Sequence, residues 1–494
     1  MTKTTSTASS NYTAMCRKLS EEVKFLDKSP VGSPAGSPFD SARLIDVVQT
    51  HMNSMPVDYR DSYGQALVQR LPGVCASLKA QHDQAVARGT PEAQAMADAR
   101  LMADTLVGAV RDWSEPQYAQ PLRRFEAVIS NLYRSFVGDE QRARIDLPLT
   151  ESAPPLATFA PTGDAGPFTL PVDAIQSILK VPVGVVSLPG SYREHPLLWP
   201  ALAHETGGHD VVHADRPLEP ELAKAVRAMH GLPQGVGGLW SFWMDETVAD
   251  VYGLLNCGPS FALSLASFFA SLEQALGEQR TVGAISNLLP VQNNSPLDEH
   301  PVDLLRVYLA QGVVGKLASL STTRIAGWQA QLEDLATQAS GGKTTIDLFD
   351  VDKRQVVQSL PLGPMADAAR QVGAFIATAK LKALQGHCIQ DIETWDDGDE
   401  DAAAAIATAA GVGKPIVGLG DDAQLLAGAT LAFHKQPAAY LAITRLLDDA
   451  LDDSFARDPV FGNPSPHFLL RRQAARPTGR TYHRTLRSLA SLGL

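Results

Sequence analysis

Apolar positions recur at three- and four-residue intervals through most of the chain. Pro91 to Trp113 is typical, with Ala95, Ala99, Met102, Leu106, Val110 and Trp113 on one stripe. That period predicts amphipathic helices, and it holds from Ser41 to about Val137 and again from about 316 to the end. Between these regions, from 145 to 190, Pro, Gly and β-branched residues replace the helical period. Phe168-Thr169-Leu170-Pro171-Val172 and Val181-Pro182-Val183-Gly184-Val185-Val186-Ser187-Leu188 read there as short strands. Leu197 to Ala203 reads as the buried first turns of a helix, and the segment from Ser260 to Leu276 as an apolar core helix, too short and too rich in serine to cross a membrane. The N-terminus reads as a loose arm holding a short helix from Met15 to Leu26, then a Ser/Pro/Gly linker from Ser29 to Pro38. The expected fold is mainly α, of the α+β class, with a small β-sheet flanked by helical regions. Its parts are an arm and linker over 1–41, a helical domain over 42–144, a central domain over 145–315 and a helical region over 316–494.

Composition narrows the function classes. With 494 residues, 45% of them hydrophobic, the chain can bury large cores. A formal net charge of -12 argues against nucleic acid or an anionic membrane as partner. The 4 cysteines are far apart and form no CxxC, which fits a reducing compartment, and the opening Met-Thr-Lys lacks the apolar stretch of a secretory signal, so a cytoplasmic protein is expected. The acidic run from Asp391 to Asp401 lacks the ligand order of an EF-hand and reads as a solvated loop. Gly411-Val412-Gly413-Lys414-Pro415 fails as a phosphate loop because Pro415 stands where Ser or Thr must hold Mg²⁺. The basic tail from Arg471 onward reads as intramolecular pairing or an exposed end. Nothing in the pattern fixes an oligomeric state.

Candidate chemistry concentrates in His204-Glu205-Thr206-Gly207-Gly208-His209-Asp210-Val211-Val212-His213. Two histidines one helical turn apart, with a glutamate beside the first, can hold Zn²⁺ and act on a water. His204 and His209 are five apart, about 140° around a regular helix, so they share a face only if a π-turn absorbs one residue. Gly207 and Gly208 are the expected place for it, since residues without Cβ tolerate unusual backbone and close approach. A rival register pairs His209 with His213, four apart, and puts Asp210 in the glutamate's role. Downstream, Trp243 to Gly253 reads as a helix carrying Glu246 and Asp250 on one face. Glu246 can complete a His₂Glu set, and Asp250 can accept the far N–H of a ligand histidine. His195 has no ligand spacing, and His230, His387, His434, His467 and His483 read as structural or surface residues.

This pair of motifs, over residues 180 to 310, resembles the gluzincin zinc metallopeptidases, in the HExxxH variant of HExxH. The resemblance implies a gluzincin-like core binding Zn²⁺ through His204, His209 and Glu246, with Glu205 as general base and Asp250 behind a ligand histidine. It implies a peptide or protein substrate, whose extended backbone would pair with a strand edge at Gly184 to Leu188. The bland alternative for that strand is an internal one. By the same resemblance His300, in Asp298-Glu299-His300-Pro301, or the downstream Arg306 would bind the oxyanion; without it His300 is a helix-start residue. Two other classes remain open at this point. One is a non-hydrolytic metalloenzyme for redox chemistry or peptide modification; the other is a helical interaction protein in which His204, His209, His213 and Glu246 close around a structural metal.

Overall fold

Strand β3, Val183–Pro189, is buried along its whole length. A near-continuous apolar run of this kind belongs to a strand covered on both faces. In the computed structural model, which describes residues 4–26, 40–148, 152–160, 167–215, 217–275, 285–291, 298–350 and 353–457, β3 is the centre of a three-stranded sheet. Strand β1, Ala153–Ala160, runs parallel on one side, and β2, Phe168–Leu170, antiparallel on the other. The stretch from Gly184 to Leu188 therefore lies on the internal strand, with Val185 to Ser187 paired on both sides, and β1 and β2 are the edges among the described residues. Strand order depends on tertiary pairing, which one strand's sequence does not carry.

The two faces of this sheet enter two apolar cores. Val183, Val185 and Leu156 face the helices Ser41–His51, Gln65–Ala87 and Glu92–Arg111. Val186, Leu188 and Phe159 face a larger core that includes the Pro116–Val137 helix, the His204 segment and the C-terminal helices. This larger core runs through residues 122 to 137, 186 to 289 and 302 to 451, so apolar packing crosses the positions 144 and 315 where the sequence pattern changes.

The N-terminal segment is not a loose arm. It forms one helix, Thr4–Leu26, whose Tyr12, Met15, Cys16 and Leu19 are buried at helical spacing. They lie against the Ser260–Ala275 helix, where Ser271 Oγ donates to Cys16 O at 3.4 Å. The linker expected at 29–38, the basic tail from Arg471, His467 and His483 lie outside the described residues.

Two further expectations are corrected. The region after 316 is not wholly helical. Strands β5, Thr345–Asp350, and β6, Gln355–Pro361, form a hairpin onto which β4, Leu288–Val291, adds in parallel. The acidic run is not a solvated loop either. Asp396 caps the Asp397–Gly411 helix by accepting from Gly398 N at 2.7 Å and Asp399 N at 3.0 Å. Asp397 pairs with Arg324 at 3.1 Å, and Glu400 accepts from the indoles of Trp328 and Trp395 at 2.9 and 2.8 Å. Carboxylates gather here because a helix N-terminus attracts them. Among the described residues no helix is long and apolar enough to cross a membrane.

Candidate metal centre

The candidate site stands on one helix of changing pitch. An α-helical turn, Ala201–His204, passes into a π-helical stretch, Glu205–Asp210, and back to an α-helical turn, Val211–Ala214. The π-stretch is where the five-residue interval and the Gly-Gly pair place it, and it brings His204 and His209 to one face. Both glycines are needed for a second reason. A Cβ on Gly208 would stand 2.3 Å from Ala249 Cα, and one on Gly207 would stand 2.7 Å from Asn256 Nδ2. Ala249 and Asn256 belong to the Met244–Cys257 helix, so the absent side chains let that helix lie directly against the π-turn.

That contact brings the third donor into place. His204 Nε2 and His209 Nε2 are 3.1 Å apart, His204 Nε2 is 3.1 Å from Glu246 Oε2, and His209 Nε2 is 3.4 Å from Glu246 Oε1. Three ligands on a tetrahedral ion with bonds of 2.0–2.1 Å stand about 3.3 Å from one another. The outer ring nitrogens are already engaged: His204 Nδ1 lies 3.0 Å from Asp250 Oδ1 and His209 Nδ1 lies 3.3 Å from Asp245 Oδ1. A metal at the two Nε2 atoms would leave the ring protons on Nδ1, against Asp250 and Asp245. Glu246 Oε2, also buried, has no hydrogen-bond donor. Two ring nitrogens and a carboxylate converge at these distances, and Glu246 Oε2 is buried without a well-formed hydrogen bond, so His204, His209 and Glu246 fit a metal ion.

The surrounding charges support that fit. Burial opposes protonation of His204 and His209, yet the neighbouring carboxylates raise both, His209 well above the ordinary imidazole value. Burial likewise pushes Glu246 up, but His300, His209 and His204 overcome it and hold Glu246 well below the usual carboxylate range. Asp250 carries its expected contact with His204 and receives a bidentate Arg306, with Nε and Nη2 each 2.6 Å from its oxygens. The guanidinium is buried over the Phe269 ring, 4.8 Å from the centroid. Arg306 is thus paired with Asp250, and its Nη2 also lies 3.3 Å from His204 Nδ1.

His300 faces Glu246 of the cluster. Its Nε2 is 3.4 Å from Glu246 Oε1, its Nδ1 2.8 Å from Asp298 Oδ1, and its side chain is 41% exposed. Glu246 raises its pKa. Glu205, which follows His204 in the chain, is buried, and its Oε2 accepts from Thr169 Oγ1 at 2.9 Å. The same hydroxyl lies 3.0 Å from the Glu205 carbonyl. Thr169 belongs to β2, an edge strand among the described residues, so the sheet reaches the candidate base through its margin.

The rival register is not assembled. His213 Nε2 faces Asp245 and its Nδ1 faces Asp173, so His213 stands outside the three-donor group. Asp210 is turned away from the donors: it accepts from Val172 N at 2.9 Å and sits where a Cβ on Gly184 would be. Burial raises its pKa to about 7. His195 is remote, paired through Nδ1 with Tyr440 Oη at 2.9 Å. Sequence reasoning missed Asp245 and Thr169. Asp245 immediately precedes Glu246, a position that spacing alone gives no reason to prefer, and Thr169 carries no signal without the strand order. The chain matches no known family model, no curated protein and no solved structure.

Proposed function

We propose that this protein is a zinc-dependent hydrolase of amide bonds, most simply a peptidase with a gluzincin-like centre in which His204, His209 and Glu246 hold the metal. The observation that carries this reading is the convergence of three donors, with Glu205 next to His204 in the chain, buried, and its carboxylate accepting from the Thr169 hydroxyl. When bound, zinc would supply Lewis acidity and make a water acidic near neutral pH.

The chain's own residues would do the rest. Glu205 takes a proton from the attacking water and returns it to the leaving amine. Thr169 keeps the Glu205 carboxylate oriented. Asp250, locked by Arg306, fixes the tautomer of His204. His300, half-exposed with its Nε2 3.4 Å from Glu246 Oε1, would donate to the oxygen that gains charge as the carbonyl is attacked. A closed structural site would need a fourth protein ligand, and His213, the candidate for it, is engaged by Asp245 and Asp173. The four thiols are all free, which supports a reducing compartment such as the cytoplasm.

Two imidazoles and one carboxylate also suit iron(II), which would make the chemistry oxidative. One experiment separates the readings: zinc-loaded protein and its Glu205→Gln variant are incubated with a fluorogenic peptide library. Glu205→Gln is expected to keep its zinc and lose turnover by about 100-fold or more. Full turnover in Glu205→Gln, or turnover that requires dioxygen, overturns the hydrolytic reading.

A further inference from the structure

His213 is the one imidazole of the motif left outside the donor group, and each of its ring nitrogens meets a carboxylate. Nδ1 is 3.4 Å from Asp173 Oδ1 and Nε2 is 3.3 Å from Asp245 Oδ1. Neither contact has the alignment of a hydrogen bond, but two carboxylate oxygens on opposite sides of one ring favour its protonated, cationic form. Burial opposes the charge, but Asp245 and Asp173 outweigh it and push His213 up to about 10. Asp173 is itself buried in the first turn of the Val172–Leu179 helix, where a carboxylate is favoured.

Asp245 Oδ1 is shared, since it also lies 3.3 Å from His209 Nδ1. The two metal-facing histidines therefore have matching supports. Behind His204 stand Asp250 and then the Arg306 guanidinium. Behind His209 stand Asp245 and then the His213 imidazolium. The second support is the looser one: the Asp245 side chain is 40% exposed, against 4% for Asp250. Asp245 Oδ1, the oxygen that both histidines face, is buried and has no well-aligned hydrogen bond, so the charge of a neighbouring cation is what holds it there.

We propose that His213 is a positioning residue of the metal centre: its cation anchors Asp245, and Asp245 in turn holds His209 with Nε2 aimed at the metal. This inference rests on the metal centre proposed above, though not on the reaction assigned to it. It also gives the third histidine of the motif a task that a ligand role does not.

The test is the affinity of the full-length chain for Zn²⁺ alone, measured at one fixed pH by competition with a chromophoric chelator. His213→Ala should weaken binding by about 10- to 100-fold, the usual effect of removing an outer partner of a ligand histidine. His213→Lys, which returns a cation to Asp245, should recover most of the loss, and replacement of the exposed His230 by Ala should change nothing. If His213→Ala does not fold without metal, His213→Gln, closer in volume, carries the same comparison. Wild-type affinity in the Ala or Gln variant overturns the inference, and so does failure of Lys to restore what Ala loses. Absence of zinc binding in the wild type instead removes the metal centre and this inference with it.

Discussion

Glu126 is fully buried on the Pro116–Val137 helix, where its Oε1 accepts from Ala157 N of β1 at 2.8 Å, tying that helix to the sheet beside the site. Burial raises its pKa to about 8, only partly offset by the Ala157 N–H. The folded chain therefore keeps a proton on Glu126 that the unfolded chain releases near the ordinary glutamate value, and stability falls as pH rises between those two values. One such proton corresponds to about 1.4 kcal/mol per pH unit within the window. Glu126→Gln should remove that slope, so urea midpoints of variant and wild type should draw apart as pH is raised from 5 to 8. A difference independent of pH would contradict it. At this scale the sequence was informative where chemistry is local. Glu246 and Asp250 share a face because they are four apart on a helix, and the structure places both at His204. Thr169 and Asp245 were hidden because each acts across elements, on Glu205 and on His209 respectively. Arg306 was visible as a charge, but its partner Asp250 was not.

The π-turn is the element on which the site depends. It was legible because a five-residue histidine interval and two adjacent glycines are jointly explained by one extra residue in a turn. Its close contact with the Met244–Cys257 helix has a direct consequence. Gly208→Ala puts a Cβ 2.3 Å from Ala249 Cα, a backbone atom that cannot yield without moving its helix and Glu246 with it. The variant is expected to lose about 1–3 kcal/mol of stability from overpacking, with weakened zinc binding alongside. Thermal unfolding with and without zinc checks both parts, and an unchanged melting temperature together with unchanged zinc binding would refute the close-approach argument. Other elements were less legible. The apolar run of β3 showed a strand but not its central position, and the carboxylates from Asp391 to Asp401 looked like a loop because helix capping and solvation favour the same residues. The hairpin β5–β6 was submerged in a region of helical period.

Across the whole molecule, the helical character with a small sheet was readable from periodicity, whereas the way the parts close on one another was not. The N-terminal helix docks through Tyr12, Met15, Cys16 and Leu19 onto the Ser260–Ala275 helix, and the larger core continues from there to Leu451. That continuity gives the site a rigid frame: the His204 segment, the Met244–Cys257 helix and the Asp303–Val314 helix with Arg306 all meet in one core. In such a frame the three donor atoms are held close to one another. The most direct test of the account is a zinc-binding isotherm with stoichiometry, measured on the wild-type chain and on Glu246→Ala. One zinc per chain in the wild type, lost or weakened by orders of magnitude in the variant, is the expected result. A wild-type chain that takes up no zinc, or a Glu246→Ala chain that holds it equally well, would contradict the account.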